Sequence, residues 1–233
     1  MTSSVEKSFQ QSAKIPPLES GDRLTRHEFE RRYTAMPHLK KAELIEGVVY
    51  VASPLRFRSH GEPHGNLIGW LWIYKVSTPG LDLGDNATVR LDLDNEVQPN
   101  VVLLIDKKLG GKTRISEDDY VEGAPELIAE VAASSAANDL YDKKRVYRRN
   151  GVKEYIVWQV LEQRFDWFVL ESGEYISLEP DASGIIKSLV FPGLWLNVAS
   201  MLTSDMKQVL AVLEQGLNSE DHQIFRQQLS ASS

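Results

Sequence analysis

Cysteine is absent from the chain, which excludes disulfides, thiolate zinc sites and cysteine nucleophiles. That fits a reducing compartment. No run of about eighteen apolar residues occurs, so no membrane-spanning helix is expected. The first segment, MTSSVEKSFQQSAKIPP, lacks the apolar stretch of a secretory signal, and the expectation is a cytoplasmic protein. An excess of positive charge is missing too: 26 Lys and Arg against 33 Asp and Glu give a net charge of −7. A protein that coats nucleic acid without regard to sequence usually carries the opposite sign, because phosphate contacts supply most of that affinity. Any nucleic-acid contact must come from a local basic patch.

What is present is ordinary globular composition, 42% hydrophobic and 25% charged over 233 residues, enough for one good-sized core. Residues 1–22 are polar, contain Pro16, Pro17 and Gly21, and read as a flexible leader. The main domain is expected over 23–200 and a C-terminal helical extension over 201–233. Thr25 is a plausible N-cap for RHEFERRYTAM, with Glu28 three residues on as in a capping box. AELIEGVVYVAS (42–53) reads as two strands joined at Glu46-Gly47, and HGNLIGWLWIYKVS (64–77) as an apolar helix stopped by Thr78-Pro79-Gly80. Strands are expected over 87–93, 99–106 and 126–134, then a polar helix over 137–150 ending at Asn150-Gly151. Three further strands with hairpin spacing follow, KEYIVWQV, RFDWFVLES and EYISLEP. Helices 202–217 and 219–229 close the chain, with Met206, Val209, Leu210 and Leu213 on one stripe.

Two apolar runs are interrupted by a polar residue. Asn100 stands at the mouth of PNVVLLID, and Glu130 stands in the middle of LIAEVA. A buried carboxylate must be paired, protonated or bound to a metal. Glu130 either pairs with a nearby cation or faces solvent at a sheet edge, or it serves a site. On the next helix Asp139, Lys143 and Tyr147 are four apart and share a face. Taken alone they suggest a surface salt bridge of about 0.3–0.5 kcal/mol. Taken with the strands before them, the order strand–acid, strand–Glu, helix–Lys is the skeleton of a metal-dependent nuclease. Phosphodiester hydrolysis needs a divalent ion to activate water and neutralise the phosphate.

The chain resembles the Uma-two family of endonucleases, a branch of the PD-(D/E)XK, restriction-endonuclease-like superfamily. The matching residues are Glu43-Leu-Ile-Glu-Gly47, His64-Gly65, Gln98-Pro99-Asn100, Gly123-Ala-Pro-Glu-Leu-Ile-Ala-Glu130, Ser134-Ser135, Asp139, Lys143, Tyr147 and Gly151-Val152-Lys-Glu-Tyr155. The resemblance covers about residues 25–200 and implies an α/β fold: a mixed central sheet flanked by helices, with C-terminal accessory strands and helices. It implies a DNA endonuclease using Mg²⁺ or Mn²⁺, with Glu43, Asn100 and Glu130 at the metal positions and Lys143 supporting the nucleophile. His64, Asp139 and Tyr147 are accessory. Ala132 holds the position of the motif's lysine, which this family moves to the helix. Asn100, however, stands where the family has a metal-binding aspartate, so metal binding and activity are expected to be weakened. The alternative is a pseudo-nuclease that binds nucleic acid or protein without cutting. Asn100 and Glu130 should face each other on adjacent strands, and Lys143 should reach them while Lys144 points away.

Lys143, Lys144, Arg145, Arg148 and Arg149 form a charge run beside the proposed site. It reads either as a solvated helix face or as the patch that meets a DNA backbone, extended by Arg56 and Arg58. Two-site cleavage makes dimers common among related nucleases, so the resemblance leaves a homodimer open without fixing the oligomeric state. His60 is a weaker candidate than His64, and Glu126 reads as a strand-end residue in solvent. All five tryptophans, in apolar segments, are assigned to the core.

Overall fold

The computed structural model describes residues 15–133 and 138–231; Ser134 and Ser135 of the motif lie outside the described residues. In chain order the elements are α1 (Arg26–Thr34), β1 (Ala42–Ile45), β2 (Val48–Val51), α2 (Glu62–Ser77), β3 (Leu81–Asp85), β4 (Val89–Arg90), β5 (Glu96–Val97) and β6 (Val101–Ile105). Then come β7 (Arg114–Ile115), β8 (Val121–Glu122), β9 (Leu127–Ala132), α3 (Lys144–Asn150), β10 (Glu154–Gln159), β11 (Arg164–Glu171) and β12 (Glu174–Ser177). β13 (Ile185–Lys187), β14 (Trp195–Asn197), α4 (Val198–Leu202), α5 (Met206–Leu217) and α6 (Glu220–Ala231) complete the chain. Wide π-helical turns, Phe57–Gly61 and Asn138–Lys143, lead into α2 and α3.

The mixed α/β fold is present, with its strands shared between two six-stranded sheets and one small hairpin, β13–β14. One sheet runs β2-β1-β5-β4-β8-β7 and the other β12-β11-β10-β9-β6-β3. In the second sheet β9 and β10 pair in parallel, and the helical crossover between them ends in α3. Every residue of β9 and β10 is buried, which explains their unbroken apolar character.

Alternation along β9 decides where its polar residue goes. Leu127, Ala129 and Val131 pack in the core shared with Leu67, Trp70, Leu71 and Tyr74 of α2. Ile128 and Ala132 belong to the opposite core, with Val146 and Tyr147 of α3. Glu130 lies between them in register and so points toward α3.

Several expectations need correction. The strand expected over 87–93 shrinks to β4, because the Asp92 carboxylate accepts from the Asp94 N–H and the Asn95 amide and closes a turn there. The helix expected from 202 divides into α4 and α5, the latter capped by Asp205. The buried stripe of α5 is Val209, Val212, Leu213 and Gly216, while Leu210 is 37% exposed. Gly216 is needed in that helix because a Cβ would collide with the Gly193 carbonyl. Trp72 is half-exposed, since Leu67, Trp70, Leu71 and Tyr74 take the inner face of α2. The end of the leader is packed: Leu18 is buried and the Gly21 N–H donates to the Val49 carbonyl, 2.8 Å. Residues 1–14 lie outside the described residues.

The C-terminal helices join the α2 core through Val209, Leu213 and Leu229, and a buried histidine helps hold them. His222 Nδ1 lies 2.8 Å from the Leu217 carbonyl and Nε2 lies 2.9 Å from the Thr78 hydroxyl. The Leu217 carbonyl can only accept, so Nδ1 carries a proton and donates to it. Burial pushes the His222 pKa below its usual value, and Arg226 adds to the effect. As pH falls below the ordinary histidine range, the unfolded chain takes up a proton that the folded chain resists. Unfolding stability should therefore drop between pH 7 and 5, and His222→Gln should flatten part of that drop. Urea midpoints across this range provide the check; identical slopes in both proteins would exclude His222 as a contributor.

Candidate functional site

The antiparallel register of β6 and β9 pairs Val101 with Ala129, which brings Asn100, just before β6, opposite Glu130. The Asn100 backbone N–H donates to Glu130 Oε2 at 3.2 Å. The buried Val131 N–H donates to Asn100 Oδ1 at 2.8 Å. That bond fixes the amide orientation, because only the oxygen end can accept. Asn100 Nδ2 consequently points the other way and donates to His60 Nε2 at 3.1 Å.

Glu43 arrives from β1 in the other sheet, its Oε1 accepting from the Gln98 N–H at 2.8 Å. The helical segment after β9 closes the group. Lys143 Nζ lies 2.9 Å from Glu130 Oε1, 3.1 Å from Glu43 Oε1 and 3.4 Å from Asp139 Oδ1. The Tyr147 hydroxyl donates to Glu130 Oε1 at 3.1 Å. The four-residue spacing of Asp139, Lys143 and Tyr147 thus places all three beside Glu130, although the first part of the segment is a π-type turn. The simple alternative, a surface salt bridge, does not hold: Lys143 is 5% exposed and Glu130 is 2% exposed.

Burial works against a charged lysine, but the carboxylates of Glu130, Glu43 and Asp139 outweigh it and hold the Lys143 pKa well above its usual value. Lys143 is therefore an ammonium. Burial, with Glu130 and Glu43 nearby, also keeps Tyr147 a neutral hydroxyl donor.

His60 was the weaker histidine in sequence, yet it is the one whose ring touches the Asn100 side chain. Its position four residues before His64 was the available signal. Burial, then His64 and Lys41, push its pKa down, consistent with a neutral ring whose Nε2 accepts from Asn100. His64 Nε2 lies 3.1 Å from the Asn100 backbone carbonyl and 3.2 Å from Asp85 Oδ1. Glu126 is not in solvent as expected. It is buried, and its carboxylate accepts from the Ile105 and Lys112 N–H groups, tying down the loop after β6.

The charge run is not an open patch. Arg145 pairs with Glu46 and with Asp142, Arg149 with Glu46, and Arg148 with Glu174. Lys144 points away from the cluster, its ammonium 3.3 Å from the Phe168 ring centroid. Arg58 pairs with Glu62. Each of these cations meets an acid or ring that is distant in sequence or across a turn, so the run itself is internally neutralised, while Arg56 has no ion pair among the described residues.

A cleft of about 860 Å³ opens onto the cluster, with Lys41, Glu43, Arg56, Asn100, Glu130 and Lys143 among its lining. As they stand, these residues do not fit a divalent ion. Glu43 and Glu130 offer hard oxygen atoms, but they converge on the Lys143 ammonium. At the third position the Asn100 amide turns an N–H donor, not an oxygen, away from Val131. Among the described residues no group of three His, Asp or Glu side chains forms a metal cage.

The sequence profile of the Uma2 family, described as a putative restriction endonuclease, matches residues 26–199. A crystal structure of a putative nuclease belonging to DUF820 from Anabaena variabilis ATCC 29413 has the same fold, with a TM-score of 0.56 at 11% sequence identity. The match covers 74% of this chain and 96% of that one. No curated protein matches the sequence. Among the described residues no helix is long and apolar enough to cross a membrane. With three quarters of its length matched by the family profile, the chain belongs to the Uma2 family.

Proposed function

We propose that this chain is a DNA endonuclease in architecture whose metal-dependent hydrolysis is suppressed at Asn100. The observation that carries the reading is the orientation of the Asn100 amide, locked by the Val131 N–H with its nitrogen toward His60. A divalent ion, when bound in such a fold, activates water and neutralises charge on the phosphate. An aspartate at position 100 would keep one oxygen on Val131 and present the second where the amide nitrogen now lies. Asparagine supplies neither that oxygen nor its charge.

The remaining residues have separate tasks. Glu43 and Glu130 are the carboxylates that would join an aspartate at position 100 in holding Mg²⁺ or Mn²⁺. Lys143 keeps the cluster charge-balanced and stands where it can stabilise an anionic phosphate. Tyr147 and Asp139 orient Glu130 and Lys143 respectively. The DNA backbone enters through the cleft, where Lys41 and Arg56 supply positive charge at the lining.

The deciding experiment is plasmid nicking with a Mg²⁺ or Mn²⁺ titration. Asn100→Asp should nick at least about tenfold faster than the chain as it stands, since metal capture depends on that oxygen. Its melting temperature should also rise more with added metal. Adding Glu130→Ala to Asn100→Asp should remove both gains, because the two residues serve one ion. No nicking and equal metal response in both forms would defeat the reading and leave a fold used only for binding.

The ammonium itself can be tested through stability. Lys143→Met leaves three buried carboxyl groups without their cation and should cost about 3–5 kcal/mol at pH 7. Arg145→Ala, which removes exposed pairs, should cost less than about 1 kcal/mol. Equal losses in urea unfolding would show that the Lys143 cluster contributes no more than a surface bridge.

A further inference from the structure

We infer that the cleft receives a single, unstacked DNA strand in preference to an intact duplex, with Leu55 and Leu161 against its bases and Lys41 and Arg56 on its phosphates. This rests on the proposed DNA-directed reading and adds the form of the substrate. Three observations meet here. The first is depth. Asn100, Glu130, Asp139 and Lys143 are each no more than 5% exposed, yet all four line the cleft, so a phosphodiester must enter it to reach them. A duplex is stiff over about 150 base pairs and carries its phosphates on an outer, convex surface. A single strand bends and can feed its backbone inward.

The second observation is the chemistry of the rim. Leu55 and Leu161 are both 64% exposed and both line the cleft, from the loop after β2 and from the turn between β10 and β11. Against a duplex these leucines would face charged sugar-phosphate. Against a strand with its bases turned out they meet apolar faces, the same contrast that lets single-strand binders use apolar platforms. The third is charge. Arg56 is exposed and has no ion pair among the described residues, unlike the neutralised run on α3. Lys41 has one long contact, 3.4 Å to Asn86 Oδ1. These two cations line the cleft that the leucines flank, an arrangement that pairs phosphate contacts with base contacts along one strand.

The test is fluorescence anisotropy on the full chain in EDTA, so that no cleavage intervenes. The probes are a labelled single-stranded DNA oligonucleotide, the blunt duplex of the same sequence, and that duplex with a central unpaired bubble. The strand and the bubble should bind at least about tenfold more tightly than the blunt duplex. Leu55→Ser and Leu161→Ser, both surface changes that should leave melting unaltered, should each weaken strand binding about fivefold and leave duplex binding unchanged. Lys41→Ala and Arg56→Ala should each lower the slope of log affinity against log salt by about 0.7. Equal or tighter binding of the blunt duplex would overturn this inference while leaving the DNA-directed reading intact. No binding to any of the three DNAs would overturn both.

Discussion

The buried ammonium of Lys143, within 3.4 Å of Glu130, Glu43 and Asp139, is the contact on which the site and much of the packing depend. Its three partners come from β9 in one sheet, β1 in the other and the turn before α3, so one cation joins three parts of the fold. The carboxyl groups could not be buried together without it, because like charges in a region of low dielectric constant repel strongly. The same ion that holds the elements together also lines the cleft that opens onto the cluster. Stability and site geometry are therefore linked through a single side chain.

Around that cation the polar groups are positioned largely by backbone donors. Val131 N–H sets the Asn100 amide, Gln98 N–H holds Glu43, and Asn100 N–H holds Glu130. Each of these donors belongs to a strand or its immediate flank, so the strand register aims the side chains. The Asn100 amide turns its N–H group away from Val131, and the neighbouring His60 ring accepts from it. The backbone framework thus holds a neutral amide beside the carboxylates of Glu43 and Glu130.

Part of this was visible before any coordinates. An acid inside LIAEVA is costly in an apolar strand unless it is paired, bound to a ligand or at a sheet edge, and the four-residue spacing of Asp139, Lys143 and Tyr147 put those three side chains on one face. The mixed α/β fold was what the family resemblance implied, while the β1–β2 turn at Glu46-Gly47 followed from β-branched content and the turn glycine, β9 from its unbroken apolar run and β10 from hairpin spacing. These are local properties, set by residues within a few positions of one another.

Other features depended on contacts distant in sequence. The basic run on α3 is neutralised by Glu46 and Glu174, and no pattern within the run announces those acids. Glu126 is buried by a loop that returns over β6, and Trp72 is half-exposed because its neighbours on α2 filled the inner face first. His60 acquired its place from the π-type turn that brings it to Asn100. The sequence by itself determined which side chains had to be satisfied in the interior, because hydrophobic periodicity and helix spacing are written locally. The tertiary structure decided which partner satisfies each one, and that Asn100 turns its amide nitrogen toward His60, because the choice depends on sheet register and on partners as distant in sequence as Trp70 and the Trp195 carbonyl, 125 residues apart.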